Sequence, residues 1–236
     1  WFDPFPEELI RIFCMKRADL LFAPSAEAET NLRAMRLSGQ TLRVEGNTVA
    51  DALRWMGSTA SSSSTAPAVP FALATCHRLE TLTNRRRLSQ VVDLLNRVAA
   101  TRPLVFVVHG PTRRYLRQFG LEARLHPAIT VKDLLDYGEF IALLGAAQCV
   151  LSDGGSIQEE CAYLDKPCLI LRNQTERNDG LDRHALLWRF DEQIAEHFLQ
   201  NVAQKVPAMQ QDWPQPSAQI VEFLASWLQE SAGRKL

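Results

Sequence analysis

Residues 152–160 read SDGGSIQEE and combine the bare backbone of two glycines with hydroxyls and carboxylates, directly after the apolar run QCVL. Gly154 and Gly155 let a ligand approach the main chain closely, and a helix beginning near Ser156 offers unpaired N–H groups to a phosphate. A carboxylate such as Glu160 can accept hydrogen bonds from sugar hydroxyls. A tight turn followed by a capped helix has the same residues, so the stretch indicates a phosphate site without deciding it.

Two further polar clusters follow apolar runs. In TCHRLET (75–81), His77 and Arg78 can together hold a diphosphate or act as an acid–base pair, although such a pair in a loop is often incidental. His109 ends the run VVH and, taken alone, is more typical of a structural histidine.

Carboxylates cluster at two other places. FPEELIR opens a helix with Glu7, Glu8 and Arg11, and Glu176 and Asp179 follow the run LILR. Glu7 and Arg11 stand four residues apart, on one helix face, so they are expected to form an ion pair even without a catalytic role.

The elements that would position these clusters are clearest between residues 69 and 190, where apolar runs alternate with helix-period stretches. Continuous apolar strands alternating with helices predict a doubly wound parallel sheet. Ligands bind beyond the carboxyl ends of the strands in such a sheet. Strands are predicted at 69–75, 104–109, 128–130, 148–152 and 167–172, and helices at 85–100, 112–119, 131–147 and 157–164.

The pattern divides the chain into four parts. Residues 1–57 predict three helices and two strands, with Ser25 capping the second helix. These elements are too few for a stable domain, so we expect them to end a larger Rossmann-like domain. The Ser-rich tract 58–68 is predicted to be a flexible linker. The ligand-binding domain is expected at 69–190, and helices that pack back across the domains are expected at 191–236.

The composition excludes several function classes. Hydrophobic residues make up 46%, charged residues 22%, and the net charge is −1 with Lys and Arg spread along the chain, so neither nucleic acid nor a membrane surface is an expected partner. No apolar run approaches the roughly 20 residues of a membrane span. The five cysteines show no metal-ligand spacing and lie mostly in apolar runs, which predicts reduced thiols in a cytoplasmic protein without a metal site.

In their order along the chain, these clusters resemble the motifs of the UDP-N-acetylglucosamine 2-epimerase family, of the non-hydrolysing bacterial type. That family reads approximately P-E-E-x-N-R, F-A-P-T-E, G-N-T-V-x-D-A-L, T-x-H-R-x-E, D-S-G-G-x-Q-E-E, G-K-P and R-x-x-T-E-R-P-E. The matching segments are PEELIR (6–11), FAPSA (22–26), GNTVADAL (46–53), TCHRLE (75–80), SDGGSIQEE (152–160), DKP (165–167) and RNQTERNDG (172–180). Each motif alone is weak, but the order of all of them is specific.

The resemblance implies a GT-B-like α/β fold of two Rossmann-like domains with a UDP-sugar in the cleft, and a homodimer for the full-length protein. It implies an isomerase that interconverts UDP-GlcNAc and UDP-ManNAc for polysaccharide biosynthesis, by eliminating UDP and adding it back, without a cofactor. Three alternatives stay open: a hydrolysing 2-epimerase, a GT-B glycosyltransferase that uses a UDP-sugar, and a non-catalytic nucleotide-sugar binding module.

The resemblance also assigns roles to individual residues. The residues that match the catalytic group are Glu7, Arg11 and His77. Those that match UDP contacts are Arg78, Gly154, Gly155, Ser156 and Glu160. Glu8 and His109, together with Arg78, resemble a regulatory contact to a second UDP-GlcNAc.

The sequence departs from the family pattern in informative ways. Ile10 replaces an asparagine, Ser25 and Ala26 replace Thr-Glu, and Ser156 follows the two glycines instead of preceding them. These changes indicate a divergent branch and leave the sugar open. The family's Arg-rich phosphate loop, G-D-T and V-E-A-G-L-R motifs are absent, so we expect an N-terminally truncated chain that does not turn over substrate by itself.

Overall fold

The computed structural model describes residues 7–59, 66–175, 180–202 and 213–233. It contains two compact units. The first unit comprises residues 1–54 and 212–236, and the second comprises residues 55–211. Residues 60–65 of the predicted linker lie outside the described part of the chain.

Helices and strands alternate along most of the chain. The strands are β1 (Leu20–Ala23), β2 (Gln40–Arg43), β3 (Ala72–Thr75), β4 (Leu104–Val107), β5 (Ile129–Lys132), β6 (Cys149–Ser152), β7 (Cys168–Ile170) and β8 (Ala185–Leu187). The helices are α1 (Glu7–Arg17), α2 (Ala26–Ala34), α3 (Val49–Thr59), α4 (Leu79–Leu82), α5 (Arg85–Ala99), α6 (Gly110–Gln118), α7 (Tyr137–Ala146), α8 (Gly155–Tyr163), α9 (Glu192–Val202) and α10 (Pro216–Gly233).

The first unit is built on the parallel pair β1 and β2, in which Leu21 lies opposite Thr41. The predicted cap of α2 is confirmed, because the Ser25 side chain accepts a hydrogen bond from the Ala28 N–H at 3.1 Å. That bond satisfies one of the N–H groups that a helix leaves unpaired at its start.

Helix α10 packs within the first unit, against residues that are distant from it in sequence. The ring of Phe223 meets that of Phe22 edge to face, with 6.1 Å between centroids. The Ser217 N–H donates to Asp51 Oδ2 at 2.7 Å, so a carboxylate of α3 supports the first turn of α10.

The second unit holds a six-stranded parallel sheet in the order β5-β4-β3-β6-β7-β8. Counted from β3, this is the order 3-2-1-4-5-6 of dinucleotide-binding folds. The strand order reverses between β3 and β6, and all four residues of each of these strands are buried. The prediction of a doubly wound parallel sheet is therefore confirmed.

Helix α5 covers one face of this sheet because its apolar residues recur with the helical period. Leu88, Val91, Leu95 and Val98 are fully buried in the core of the second unit. Burying four such side chains contributes roughly 6–12 kcal/mol before the opposing chain entropy is counted.

The predicted helix at 131–147 is wrong at its start. Val131 and Lys132 extend β5 and pair with Phe106 and Val107 of β4. Helix α7 begins at Tyr137, because the Asp136 side chain accepts a hydrogen bond from the Glu139 N–H at 2.8 Å and caps it there.

The sequence pattern also missed one strand. Residues 167–172 were expected to hold the last strand, but β8 adds to the sheet edge beyond β7, with Leu169 opposite Leu186. Its three residues are too short a run to stand out from the sequence.

We predict that Asp136→Ala lowers the free energy of unfolding by about 1 kcal/mol, because α7 loses its cap. Asp136→Asn should stay within a few tenths of a kcal/mol of the parent, since asparagine caps equally well. Urea denaturation measures both. Equal destabilisation by the two substitutions would contradict the capping role.

Candidate functional site

A cavity of about 470 Å³ opens at the carboxyl end of the six-stranded sheet. Its volume is typical of small-molecule sites. The loops after β3, β4 and β6 and the first turns of α7 and α8 line it. It therefore lies where strand order reverses, the usual ligand position in a doubly wound sheet.

The carboxylate of Asp153 joins two of these loops. Asp153 is fully buried, and its Oδ2 accepts hydrogen bonds from the main-chain N–H groups of His77, at 2.9 Å, and Arg78, at 2.8 Å. The Cys76 thiol donates to the same oxygen at 3.2 Å. Burial first, and the Asp153 carboxylate second, raise the pKa of Cys76, so this thiol keeps its proton and remains a donor.

His77 projects from this anchored loop and stacks on His109, with 4.9 Å between ring centroids and 22° between ring planes. Its Nδ1 lies 3.2 Å from Asp153 Oδ1, but the two atoms lack the alignment of a hydrogen bond. Burial and the neighbouring His77 lower the pKa of His109, while Asp153 opposes that shift. We therefore expect His109 to be neutral at pH 7.

Gly154 makes room for the His77 ring. A Cβ at this position would lie 3.1 Å from His77 Cε1 and 3.2 Å from Ile157 Cδ1. The Gly154 N–H donates to Ser152 Oγ at 3.0 Å, and helix α8 begins at the next residue. Gly155 and the exposed Ser156 form its first turn, at the cavity wall. The unpaired N–H groups of this turn can bind an anion.

Glu160 lies one turn further along α8 and is almost completely buried. Burial raises the pKa of this carboxyl to about 7, and Glu159 adds to the shift, while the hydrogen bond with Tyr137 opposes it. Burial also raises the pKa of Tyr137. Near pH 7 the Glu160 carboxyl is therefore present in both forms and can donate to or accept from a ligand hydroxyl.

The remaining predicted site residues lie in the first unit or outside the described residues. On α1, the Arg11 guanidinium bonds to Glu8, with Nη2 at 2.7 Å from Oε1 and Nε at 2.9 Å from Oε2. The side chain of Glu7 is outside the described part, so the expected pair of Glu7 with Arg11 stays a prediction. Glu176 and Asp179 are likewise outside it.

The sequence reasoning missed three polar residues of the site: Thr75 and Tyr137, which line the cavity, and Asp153, which anchors the loop that carries His77. Asp153 had a usable signal, because it directly follows a buried strand next to the one that ends before His77. Tyr137 had none, since the erroneous helix at 131–147 placed it in mid-helix.

The described residues also bear on metals and membranes. They include no group of three or more His, Cys, Asp or Glu side chains arranged to hold a metal ion. None of the helices within the described ranges has the length and apolar character needed to cross a membrane.

The family model for UDP-N-acetylglucosamine 2-epimerase matches residues 2–223 of this chain. The chain belongs to that family.

Relatives from bacteria and archaea agree with this membership. The UDP-N-acetylglucosamine 2-epimerase of Methanococcus maripaludis is 30% identical over 189 residues, covering 75% of this chain and 52% of that protein. The Bacillus subtilis protein of the same name is 32% identical over 197 residues, covering 78% and 50%. The UDP-2,3-diacetamido-2,3-dideoxy-D-glucuronate 2-epimerase of Pseudomonas aeruginosa is 32% identical over 175 residues, covering 72% and 48%. The chain thus spans about half the length of these relatives.

Solved structures share the fold of this epimerase-family chain. The Methanocaldococcus jannaschii UDP-GlcNAc 2-epimerase, solved with UDP-GlcNAc and UDP, gives a TM-score of 0.79 at 26% identity, covering 94% of this chain and 65% of that one. The Neisseria meningitidis enzyme bound to UDP-GlcNAc gives 0.78 at 24% identity, covering 95% and 66%. The GT-B-like fold class predicted from the motifs is confirmed.

We predict that Asp153→Ala lowers the free energy of unfolding of this epimerase-family chain by roughly 2–5 kcal/mol, because two main-chain donors lose their charged acceptor. Asp133→Ala is the matched control. Its carboxylate pairs with Arg113 but is 85% exposed, so its loss should change stability by less than about 1 kcal/mol. Similar effects of the two substitutions in urea denaturation would contradict the anchoring role.

We also predict a pH dependence of stability from Glu160. Its folded-state pKa is raised from 4.5 to about 7, so between these values the folded chain holds a proton that the unfolded chain releases. Its contribution to stability therefore falls as pH rises through this range. Glu160→Gln has no proton to lose in this range. The free energy of unfolding of Glu160→Gln relative to that of the parent should therefore rise by roughly 3 kcal/mol by pH 8. Denaturation at pH 5 and pH 8 tests this, and a pH-independent difference would contradict it.

Proposed function

We propose that this chain forms the UDP-holding part of an epimerase that inverts C2 of a UDP-linked N-acetylhexosamine, interconverting UDP-GlcNAc and UDP-ManNAc. One observation carries the proposal: in a member of this family, His77, Arg78, the start of α8 and Glu160 converge on a single cavity. The related proteins named above act on UDP-linked amino sugars by their names, which supports the same substrate class here.

The walls of the cavity match the parts of a UDP molecule. The start of α8, with Gly155 and Ser156, and the side chains of His77 and Arg78 provide N–H donors and positive potential for a diphosphate. The Glu160 carboxyl, one turn further along, suits the ribose hydroxyls.

An apolar wall completes this match on the side of α7. Leu135, Tyr137 and Phe140 line the cavity there. Aromatic and aliphatic side chains of this kind provide the flat, apolar surface against which a nucleobase packs.

The chemistry needs a leaving group that can return. A protein base removes the proton from C2, and the C2–H electron pair forms a C1=C2 double bond. The C1–O bond breaks, and its electron pair leaves with UDP, so that an unsaturated sugar remains. UDP then attacks C1 again, and a proton reaches C2 from the opposite face. His77 and Arg78 would stabilise the negative charge on departing UDP. The catalytic roles of Glu7 and Arg11, and the regulatory roles of Glu8 and His109, stay predictions from the resemblance.

We further propose a cytoplasmic location and a homodimer for the protein from the complete coding sequence. All five cysteines are free thiols, and four of them are buried, which supports a reducing compartment. The dimer rests on the family resemblance, and analytical ultracentrifugation tests it.

Calorimetric titration of the 236-residue chain with UDP tests the nucleotide site. We predict saturable binding that His77→Ala weakens roughly 10- to 100-fold, because a charge-assisted contact is lost. His197→Ala, on helix α9, is the matched control and should bind UDP like the parent. Equal binding by the parent and His77→Ala would contradict the assignment.

Incubation with UDP-GlcNAc in heavy water tests the reaction, using protein from the complete coding sequence. UDP-ManNAc with deuterium at C2 is the expected product. Release of free sugar and UDP would instead indicate the hydrolysing reaction. Transfer of the sugar to an acceptor would indicate a glycosyltransferase, and UDP-sugar binding without deuterium exchange at C2 would indicate a non-catalytic module. UDP-2,3-diacetamido-2,3-dideoxy-D-glucuronate should be tried in parallel, because the Pseudomonas relative is named for it.

A further inference from the structure

Thr75 presents a buried hydroxyl without a partner at the candidate site. The residue is 1% exposed, and its Oγ1 has no hydrogen-bond partner within the part of the chain that the structure describes. Buried hydroxyls are almost always hydrogen-bonded in native proteins, and leaving one unpaired is unfavourable. Because Thr75 also lines the cavity, a bound ligand can provide the missing partner.

The position of Thr75 in the sheet supports this. It is the last residue of β3 and lies opposite Val107 of β4, which also lines the cavity, and opposite Ser152 of β6. The Ser152 hydroxyl is already engaged, since it accepts the Gly154 N–H. Of these two residues, Thr75 lines the cavity and Ser152 is not among the lining residues, so the Thr75 hydroxyl is the one placed to meet a ligand.

A second buried threonine near the same loop has a paired hydroxyl. Thr112 is equally buried, and its hydroxyl donates to the Cys76 carbonyl at 2.6 Å. That bond ties the start of α6 to the loop after β3. Two threonines near the same loop thus differ: one serves the fold, and the other faces the ligand cavity.

The charge around Thr75 identifies the class of ligand atom. His77, Arg78 and the first turn of α8 border the same cavity and favour negative charge, whereas the apolar wall lies on α7. A hydroxyl donor beside such groups is suited to an anionic oxygen. We propose that the Thr75 hydroxyl donates a hydrogen bond to a diphosphate oxygen of the bound nucleotide. This rests on the proposed function and adds a specific contact to it.

The test compares Thr75→Val, which replaces the hydroxyl with a methyl of similar shape, with Thr75→Ser, which keeps it. Calorimetry measures the affinity of each variant for UDP and for UDP-GlcNAc, and thermal unfolding without ligand measures stability. Thr112→Val is the matched stability control. We expect Thr75→Val to bind UDP and UDP-GlcNAc about 10-fold more weakly, with an unchanged or higher melting temperature. Thr75→Ser should retain most of the affinity, and Thr112→Val should melt lower.

The outcomes separate this proposal from the one it rests on. If the parent binds UDP and Thr75→Val binds it with the same affinity, the Thr75 contact is overturned, whereas the proposed UDP site is retained. A melting temperature lowered as in Thr112→Val, without an affinity change, means that the hydroxyl serves the fold. Weaker binding of UDP-GlcNAc alone places the contact on the sugar and overturns the diphosphate assignment. No UDP binding by the parent overturns both proposals.

Discussion

The candidate site depends on one buried charge, the carboxylate of Asp153. It follows β6, yet it holds the loop after β3 through the N–H groups of His77 and Arg78. A buried carboxylate is tolerated only when donors surround it, and here the main chain and the Cys76 thiol provide them. The two loops are therefore fixed together at the point where strand order reverses, which is where the cavity opens.

This anchoring decides which groups remain for a ligand. Because the N–H groups of His77 and Arg78 are bound to Asp153, they are not free to bind a phosphate. The first turn of α8 still offers main-chain donors at the cavity. A negative charge so close to the cavity also makes the Arg78 guanidinium more important, because it must help to outweigh that charge for an anionic ligand. Gly154 belongs to the same arrangement, because a larger residue would displace the His77 ring.

The sequence was sufficient for the fold of the second unit, because its buried parallel strands are continuous apolar runs and α5 has a clear helical stripe. It was insufficient where a local signal was weak or misleading. The apolar pattern of α7 extends back to Val131 and therefore predicts a helix there, whereas the Asp136 cap starts the helix at Tyr137. Strand β8 is held by its pairing with β7, a long-range effect that no short window contains.

For the site, residue types identified His77, Gly154 and Glu160 as candidates, and the structure brings all three to one cavity. Residue type alone does not identify Asp153 and Thr75 as site residues. Their importance lies in what surrounds them: three donors around the Asp153 carboxylate, and no partner for the Thr75 hydroxyl among the described residues. Such facts depend on three-dimensional neighbours rather than on residue type or spacing.

We propose that the second unit holds UDP at the start of α8. Titration of the isotope-labelled chain with UDP, followed by amide NMR, locates the bound nucleotide. We expect saturable shifts centred on the amides of Gly154, Gly155 and Ser156, with further shifts at His77. Saturable shifts centred elsewhere, for example on the groove between β8 and α9, or no shifts at all, would contradict it.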